Sequence, residues 1–458
     1  MSGAGTVHVV GAGLAGLAAA AALAAAGRRV ALYESSAHAG GRCRSYFDAE
    51  LGCRIDNGNH LLLSGNRSAM AYLRLIEARH TFESPGEAIF PFVDLTTGER
   101  WSLRPNRGVL PWWVLCAGRR VPGTRARDYL GVRRLRDAGR GATVADCLDP
   151  RSTLYRRLWQ PVAVAALNTA AEAGAARLFR PVLDETLGRG AAACRPLVPR
   201  EGLSESLIDP ALAMLRARGA DTRFVARLRG IRFAEERVRE LDFDNSLVDV
   251  AEDDQVVLAV PATVAARLVP ELVTPDDHAP IVNAHYRAAI SVDAPGGTPL
   301  FIGLIGGTAE WVFRKREVVS VTVSAADSLV DRPAEELRAV LWRDVAAAYR
   351  LPEQPVPPAR IVKERRATFR ATPAQLKKRP ATKTRWNNLL LAGDYVDTGL
   401  PATIEGAIRS GLAAAEAIAR LSGARIARGR PGTDSPERSD DTRTGADDPK
   451  REAARLAR

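Results

Sequence analysis

The sequence predicts an α/β fold, a Rossmann-like dinucleotide-binding domain interleaved with an α+β domain, and three observations carry that prediction. A β-branched run, Val7 to Val10, leads into Gly11-Ala12-Gly13-Leu14-Ala15-Gly16 and an alanine-rich stretch reaching Gly27, the spacing of a strand, a glycine turn and a helix. Apolar strand-like segments recur far downstream, at Asp254 to Pro261 and Asn388 to Ala392. At 458 residues the chain exceeds what one hydrophobic core usually organises, so two domains are expected.

Each position of the N-terminal unit has a physical task. Gly11 permits a tight turn, Gly13 lets backbone approach a pyrophosphate, and Gly16 lets helix and strand pack closely. Leu14 and Ala15 open the helix whose N-terminus faces the phosphates. A second strand, Arg29 to Tyr33, ends at Glu34, where a carboxylate accepts hydrogen bonds from an adenosine ribose and repels a 2′-phosphate. The uncharged stretch Val9 to Ala26 is long enough to suggest a signal peptide or a membrane span, but no basic segment precedes it and the dinucleotide unit explains it better.

The glycine pattern alone does not separate FAD from NAD. Gly40-Gly41-Arg42, a few residues after Glu34, points to FAD: paired glycines let backbone amides meet a ligand and the arginine can neutralise a pyrophosphate. Near the other end, a strand to Ala392 is followed by Gly393-Asp394, a loop through Ala402, and a helix that Thr403 caps, running through Ile404 to about Leu421. Its N-terminus suits the partial negative charge of a reduced flavin, and Asp394 could fix a ribityl hydroxyl. A third piece is the strand-like Arg223 to Ile231 followed by the apolar segment ending in Ala259-Val260-Pro261. Taken singly, these segments read equally well as a surface turn, a strand-to-helix crossover and core.

Taken together, the glycine loop with Leu17, Gly41-Arg42, the Ala259-Val260-Pro261 strand and the C-terminal glycine-aspartate segment resemble the flavin amine oxidase and phytoene desaturase superfamily over nearly the whole chain. Three segments are similar to one branch, the hydroxysqualene dehydroxylase family of squalene-associated, FAD-dependent desaturase-like proteins: Asp56-Asn57-Gly58-Asn59-His60-Leu61-Leu62-Leu63, Leu167-Asn168-Thr169 with Ala175 to Phe179, and Asp397 to Ala407. The family segment commonly has glutamine where this chain has Asn59. The resemblance implies an FAD-binding Rossmann-like domain of the GR2 flavoprotein type and an enzyme of bacterial squalene and hopanoid biosynthesis that reductively removes the hydroxyl of hydroxysqualene. It places Gly11, Gly13, Leu14, Ala15, Gly16, Glu34, Gly41, Arg42, Asn57, Gly58, Gly393, Asp394, Ala402, Thr403 and Ile404 on FAD, and Leu228 where backbone holds the adenine.

Replacing an allylic hydroxyl by hydrogen requires a hydride donor, help for the leaving hydroxyl and a dry pocket. His60 is the first candidate for the proton donor, with Asp397 and Tyr395 on the opposite loop behind it; a histidine in such a turn also reads as a packing residue. The run Val109 to Cys116, with Trp112 and Trp113 between Arg107 and Arg119-Arg120, suits either a membrane interface where a long isoprenoid enters or an ordinary buried helix.

Hydrophobic residues make up 46% and charged residues 26% of the chain, which argues against global disorder. The formal charge is +12, but the arginines read as spread along the chain, so nucleic acid is not expected as a partner and a peripheral membrane contact stays open. Five cysteines without a CxxC spacing suggest neither disulfides nor a metal site, and a reducing cytoplasm, extending to the cytoplasmic membrane face, is expected. The FAD-binding domain is expected at 1–77, 196–269 and 386–421, the substrate domain at 78–195 and 270–385, and a disordered tail at 422–458. Squalene-pathway synthases are candidate partners. A carotenoid or phytoene-type desaturase, an amine oxidase and a non-enzymatic scaffold are the rival readings.

Overall fold

In a computed structural model, which describes residues 5–290 and 299–421, the N-terminal pattern forms strand β1 (Val7–Val10), helix α1 (Leu14–Ala25) and strand β2 (Val30–Tyr33). Helix α2 (Arg67–Leu75), strands β3 (Phe90–Asp94) and β4 (Arg100–Leu103), and helices α3 (Gln160–Leu167), α4 (Ala176–Glu185) and α5 (Asp209–Ala217) follow. The chain continues with β5 (Asp221–Arg223), β6 (Leu228–Ala234), β7 (Arg237–Phe243), β8 (Ser246–Asp249), β9 (Gln255–Leu258) and β10 (His278–Arg287). After these come β11 (Phe301–Ile305), β12 (Trp311–Lys315), β13 (Val318–Val323), α6 (Ala334–Tyr349), β14 (Ala359–Phe369), β15 (Leu389–Leu391) and α7 (Ile404–Leu421). The expected tail, 422–458, lies outside the described residues.

One parallel sheet has the order β5-β2-β1-β9-β15. Strand order reverses at β1, and the crevice beyond the strand carboxyl ends at such a reversal is where dinucleotides bind. Val10 is level with both Tyr33 and Leu258, so the loops after three strands open onto one rim. Every residue of β1 and β2 is buried, as a parallel sheet covered on both faces requires.

Helix α1 explains the long apolar N-terminal run. Leu14 to Ala24 are all buried between the sheet and α7, and the crossing is so close that a Cβ on Gly411 would lie 2.0 Å from the Ala15 carbonyl oxygen. Alanine and glycine are the side chains small enough for that approach. Among the described residues no helix is long and apolar enough to cross a membrane.

The second sheet has seven strands, ordered β14-β10-β13-β12-β11-β3-β4. Its back carries Val282, Ala284 and Tyr286 of β10 and Val319, Val321 and Val323 of β13, packed with Leu337, Leu341 and Val345 of α6. Because side chains alternate along a strand, Asn283, His285, Ser320 and Thr322 fall on the front.

Two expectations need correction. The strand expected from Arg223 to Ile231 is two: β5 pairs with β2, and Val225 then turns at φ 55°. The Val225 and Ala226 amides there donate to the Ser36 and Glu34 carbonyls at 3.1 and 2.8 Å, and β6 pairs with β7 in a separate three-stranded meander. Nor is Val109 to Cys116 a buried helix. Trp112–Leu115 make a single 3-10 turn that buries Trp113 and leaves Val109, Leu110, Trp112 and Leu115 exposed.

Gly411→Ala forces apart two backbones that touch, and a destabilisation of about 1–3 kcal/mol is expected. Urea unfolding checks it against Gly139→Ala, where a Cβ meets nothing within 4 Å and no change is expected.

Candidate functional site

The glycine loop divides its work as the sequence suggests. Gly11 has φ 106° and a Cβ there would lie 2.4 Å from the Ala259 carbonyl oxygen; one on Gly16 would lie 1.8 Å from the Gly11 carbonyl oxygen; one on Gly13 would meet nothing within 4 Å. Gly11 and Gly16 are therefore fixed by the fold, and Gly13 fronts open space. No side chain caps the N-terminus of α1, so the first-turn amides of Leu14, Ala15 and Gly16 lack a side-chain acceptor, the arrangement that receives phosphate. These features fit a pyrophosphate.

Glu34 is engaged with this loop. One carboxylate oxygen accepts the Ala12 amide at 2.9 Å and the other the Ser36 amide at 2.9 Å. Ala226, whose amide donates to the Glu34 carbonyl, brings buried Leu228 to the same strand end. The Gly40 amide donates to the Ala12 carbonyl at 2.8 Å, and Gly41, at φ 55°, lies against the Gly13 Cα.

Arg42 and Asp394, expected on different parts of one ligand, form an ion pair at 2.8 Å. Arg42 also donates to the Ala367 carbonyl of β14, and its own carbonyl accepts from the Asn57 side chain at 3.2 Å. Three distant segments thus converge here. Gly393, at φ 153°, donates its amide to Ser410 Oγ at 2.8 Å. Thr403 caps α7 as expected, its Oγ1 accepting the Gly406 amide at 3.1 Å; Ala402 precedes it, half-buried, and Ile404 follows, buried.

Sequence reasoning missed what holds the C-terminal loop. The buried Arg379 guanidinium donates to the carbonyls of Asp394, Tyr395, Val396 and Leu400 at 2.5–3.3 Å, so residues 394–400 wrap one cation. It missed Glu405 too, which turns away from the rim and accepts the Ser68 and Ala69 amides at 3.0 and 2.8 Å, capping α2. Neither partner has a local sequence signature.

The Asp56-Asn57-Gly58-Asn59-His60 loop is tied to the second sheet. Asp56 pairs with Lys315; against the cost of burial, that cation and the Leu203 amide hold its carboxyl below the ordinary range. Asn59 donates to Thr322 Oγ1 at 3.1 Å, and Thr322 donates to Asn283 at 2.8 Å, so the shortened amide has a partner of its own. Leu61 packs with Phe90, Phe301, Trp311 and Phe313, an aromatic wall on the sheet front. A Cβ on Gly303 would lie 2.5 Å from the Phe92 ring, so glycine there lets that ring lie over the strand.

The candidate proton donors separate. His60 Nδ1 donates to the Gly58 carbonyl at 3.1 Å, burial pushes its pKa down, and Nε2 is its remaining ring nitrogen. Asp397 is exposed and accepts the Gly399 amide at 3.1 Å; Tyr395 is buried with its hydroxyl unpartnered among the described residues, and burial pushes its pKa up.

A different acid emerges at Glu310, beside Trp311. Its carboxylate accepts the Ser324 amide at 2.8 Å, and burial pushes its pKa up to about 7. Ser324 adjoins Ala325, whose amide donates to Asn168 Oδ1 at 2.6 Å; this is where the Leu167-Asn168-Thr169 segment lands. His285 stands on the sheet front, its Nδ1 2.8 Å from Ser320 Oγ and its buried Nε2 unpartnered among the described residues. A period-two count of β12 and β13 could have found the front face; Glu310 precedes β12, and its raised pKa depends on tertiary burial.

The model of the family described as flavin containing amine oxidoreductase matches residues 14–419. A hydroxysqualene dehydroxylase of Zymomonas mobilis is 47% identical over 409 residues, covering 89% of this chain and 98% of the relative. One of Rhodopseudomonas palustris is 48% identical over 414 residues, covering 90% and 98%. Among solved structures, an oxidoreductase of Methanosarcina mazei superposes with a TM-score of 0.66 at 15% identity, covering 89% of this chain and 99% of that one, a likeness of fold.

Gly13→Val is expected to leave the folded state intact while abolishing flavin absorbance in the purified protein, since the side chain fills only the space a pyrophosphate would enter. Gly16→Val is expected to lose the fold as well. Visible spectra and thermal melts on both variants separate the two outcomes.

Proposed function

The chain belongs to the flavin containing amine oxidoreductase family and, within it, to the hydroxysqualene dehydroxylases, which makes it an FAD-dependent oxidoreductase, and from that premise we propose that it converts hydroxysqualene to squalene in bacterial squalene and hopanoid biosynthesis. The observation that supports this reading best is the aromatic wall of Phe90, Phe301, Trp311 and Phe313 set against the Asp56–Leu61 loop, an apolar surface of the kind a long isoprenoid requires.

On this reading FAD lies along Gly11, Gly13 to Gly16, Glu34, Gly41, Arg42, Asn57, Gly58, Leu228, Gly393, Asp394 and Ala402 to Ile404. When bound and reduced, it supplies the hydride that replaces the hydroxyl. The chain's own task is to release that hydroxyl as water while the carbon–oxygen bond breaks. Glu310 holds a proton near neutral pH and is our candidate for the donor. His60 and His285 each keep one ring nitrogen that can orient the hydroxyl, and Asp397 stays a weaker candidate because it faces solvent. The aromatic wall excludes water that would recapture an allylic cation. A substrate so apolar resides in the bilayer, so we place the enzyme in the cytoplasm with peripheral contact at the cytoplasmic membrane face, receiving substrate from the squalene-pathway synthases.

Product analysis tests the proposal: purified protein, hydroxysqualene and dithionite should yield squalene. A product with an additional double bond would instead indicate a desaturase and sink the reading. Turnover should fall as pH rises through about 7, because the raised carboxyl loses its proton there. Glu310→Gln should lower turnover at least 100-fold, on the order of the contribution of a general acid, and remove that pH limb. His60→Ala should keep the limb. Because the folded state holds this proton up to about pH 7 and the unfolded chain only to about 4.5, the parent's unfolding midpoint should decline between about pH 4.5 and about pH 7 and level off above, and Glu310→Gln should flatten the decline.

A further inference from the structure

We propose that residues 104–140 form a docking surface for an anionic lipid bilayer, a reading that deepens the peripheral membrane contact proposed above and rests on it. Val109, Leu110, Trp112, Leu115 and Leu130 are all exposed by about half or more, with Leu110 at 77%. Singly, such side chains need no explanation; together on one short stretch they do.

The backbone that displays them is pinned. Trp113 is buried edge-on against Tyr129 at 5.3 Å, and the Tyr129 hydroxyl accepts the Val121 amide at 3.0 Å. Buried Asn106 donates to the Gly108 and Leu110 carbonyls at 3.1 and 3.0 Å and accepts the Trp113 amide at 3.3 Å. Arg120 donates to the Val114 and Thr124 carbonyls at 2.9 and 3.0 Å. The apolar tips therefore point outward from an ordered turn.

Charge identifies the occupant. Although arginines are spread along the whole chain, they concentrate in this segment: between Arg104 and Arg140 there are ten arginines, two aspartates and neither lysine nor glutamate. Arg104, Arg107, Arg125, Arg127, Arg133, Arg134, Arg136 and Arg140 are exposed, and among the described residues none of these makes an ion pair, whereas exposed arginines elsewhere, such as Arg229, Arg232 and Arg316, do. Arg119 lies over the Trp112 ring at 5.0 Å.

An anionic bilayer satisfies both features, with headgroups for the guanidinium groups and hydrocarbon for the side chains between them. Nucleic acid would meet the charge and leave Val109, Leu110 and Leu115 in water. A second copy would cover the apolar tips but bring the same cations face to face.

Flotation of the FAD-loaded protein with phosphatidylcholine vesicles, with and without phosphatidylglycerol, tests the proposal. The protein should float with the mixed vesicles and be released by salt. Arg133→Ser/Arg134→Ser/Arg136→Ser should weaken binding about 100-fold, from the attraction of three basic side chains near an anionic surface. Leu110→Ser/Trp112→Ser/Leu115→Ser should abolish it, with flavin absorbance and melting temperature unchanged in both variants. If the parent floats with mixed vesicles and both variants float equally well, this surface is wrong while the peripheral contact stands. Flotation equal on both vesicle types overturns the anionic preference. Absence of flotation on either overturns both readings. A dimer in size exclusion that the apolar variant makes monomeric assigns the surface to a second copy and overturns the proposal.

Discussion

The architecture depends on how closely two pieces of backbone approach helix α1. On one side Gly16 sets the first turn against the Gly11 carbonyl, and on the other Gly411 sets α7 against the Ala15 carbonyl. No other residue has so little volume, and most of the rest of the helix is alanine for the same reason. The helix is consequently held from both sides at its N-terminal end, which is the end whose amides face the rim. A shift there would move the first-turn amides of α1 relative to Gly41 and Asp394, which come from other parts of the chain.

The second sheet adds a division between its faces and along its front. Its back is an aliphatic core under α6. The front is polar near β10 and β13, where Asn283 and Thr322 tie down Asn59, and aromatic near β11, β12 and β3. One loop spans both regions: Asn59 bonds the polar part and Leu61 packs into the aromatic part. His60, between them, is fixed by its neighbours on both sides, which accounts for its orientation toward the Gly58 carbonyl.

Much of this was legible in the sequence because local rules determine it. The tasks of Gly11 and Gly16 follow from close backbone approaches that glycine alone permits, and the Thr403 cap follows from a side-chain oxygen three residues ahead of the Gly406 amide. The break at Val225 was not legible, because a valine at positive φ runs against its own preference and is imposed by hydrogen bonds to Ser36 and Glu34. Arg379, Glu405 and Glu310 were invisible for another reason: their partners are carbonyls, amides and burial contributed by remote segments, and such groups leave no pattern in the chain. The arginine cluster between Arg104 and Arg140 was fully legible, and counting charge over the whole chain obscured it.

The strand order also has a consequence for the order of synthesis. β1 and α1 precede the other described elements in the chain, yet β1 sits between β2 and β9, and α1 is covered by α7, the last described helix. On the ribosome the alanine-rich face of α1 therefore stays uncovered until residues near Gly411 have emerged, and Arg42 lacks Asp394 until the same moment. The Arg42–Asp394 pair can therefore close the rim only once the segment that carries Gly411 has folded onto α1.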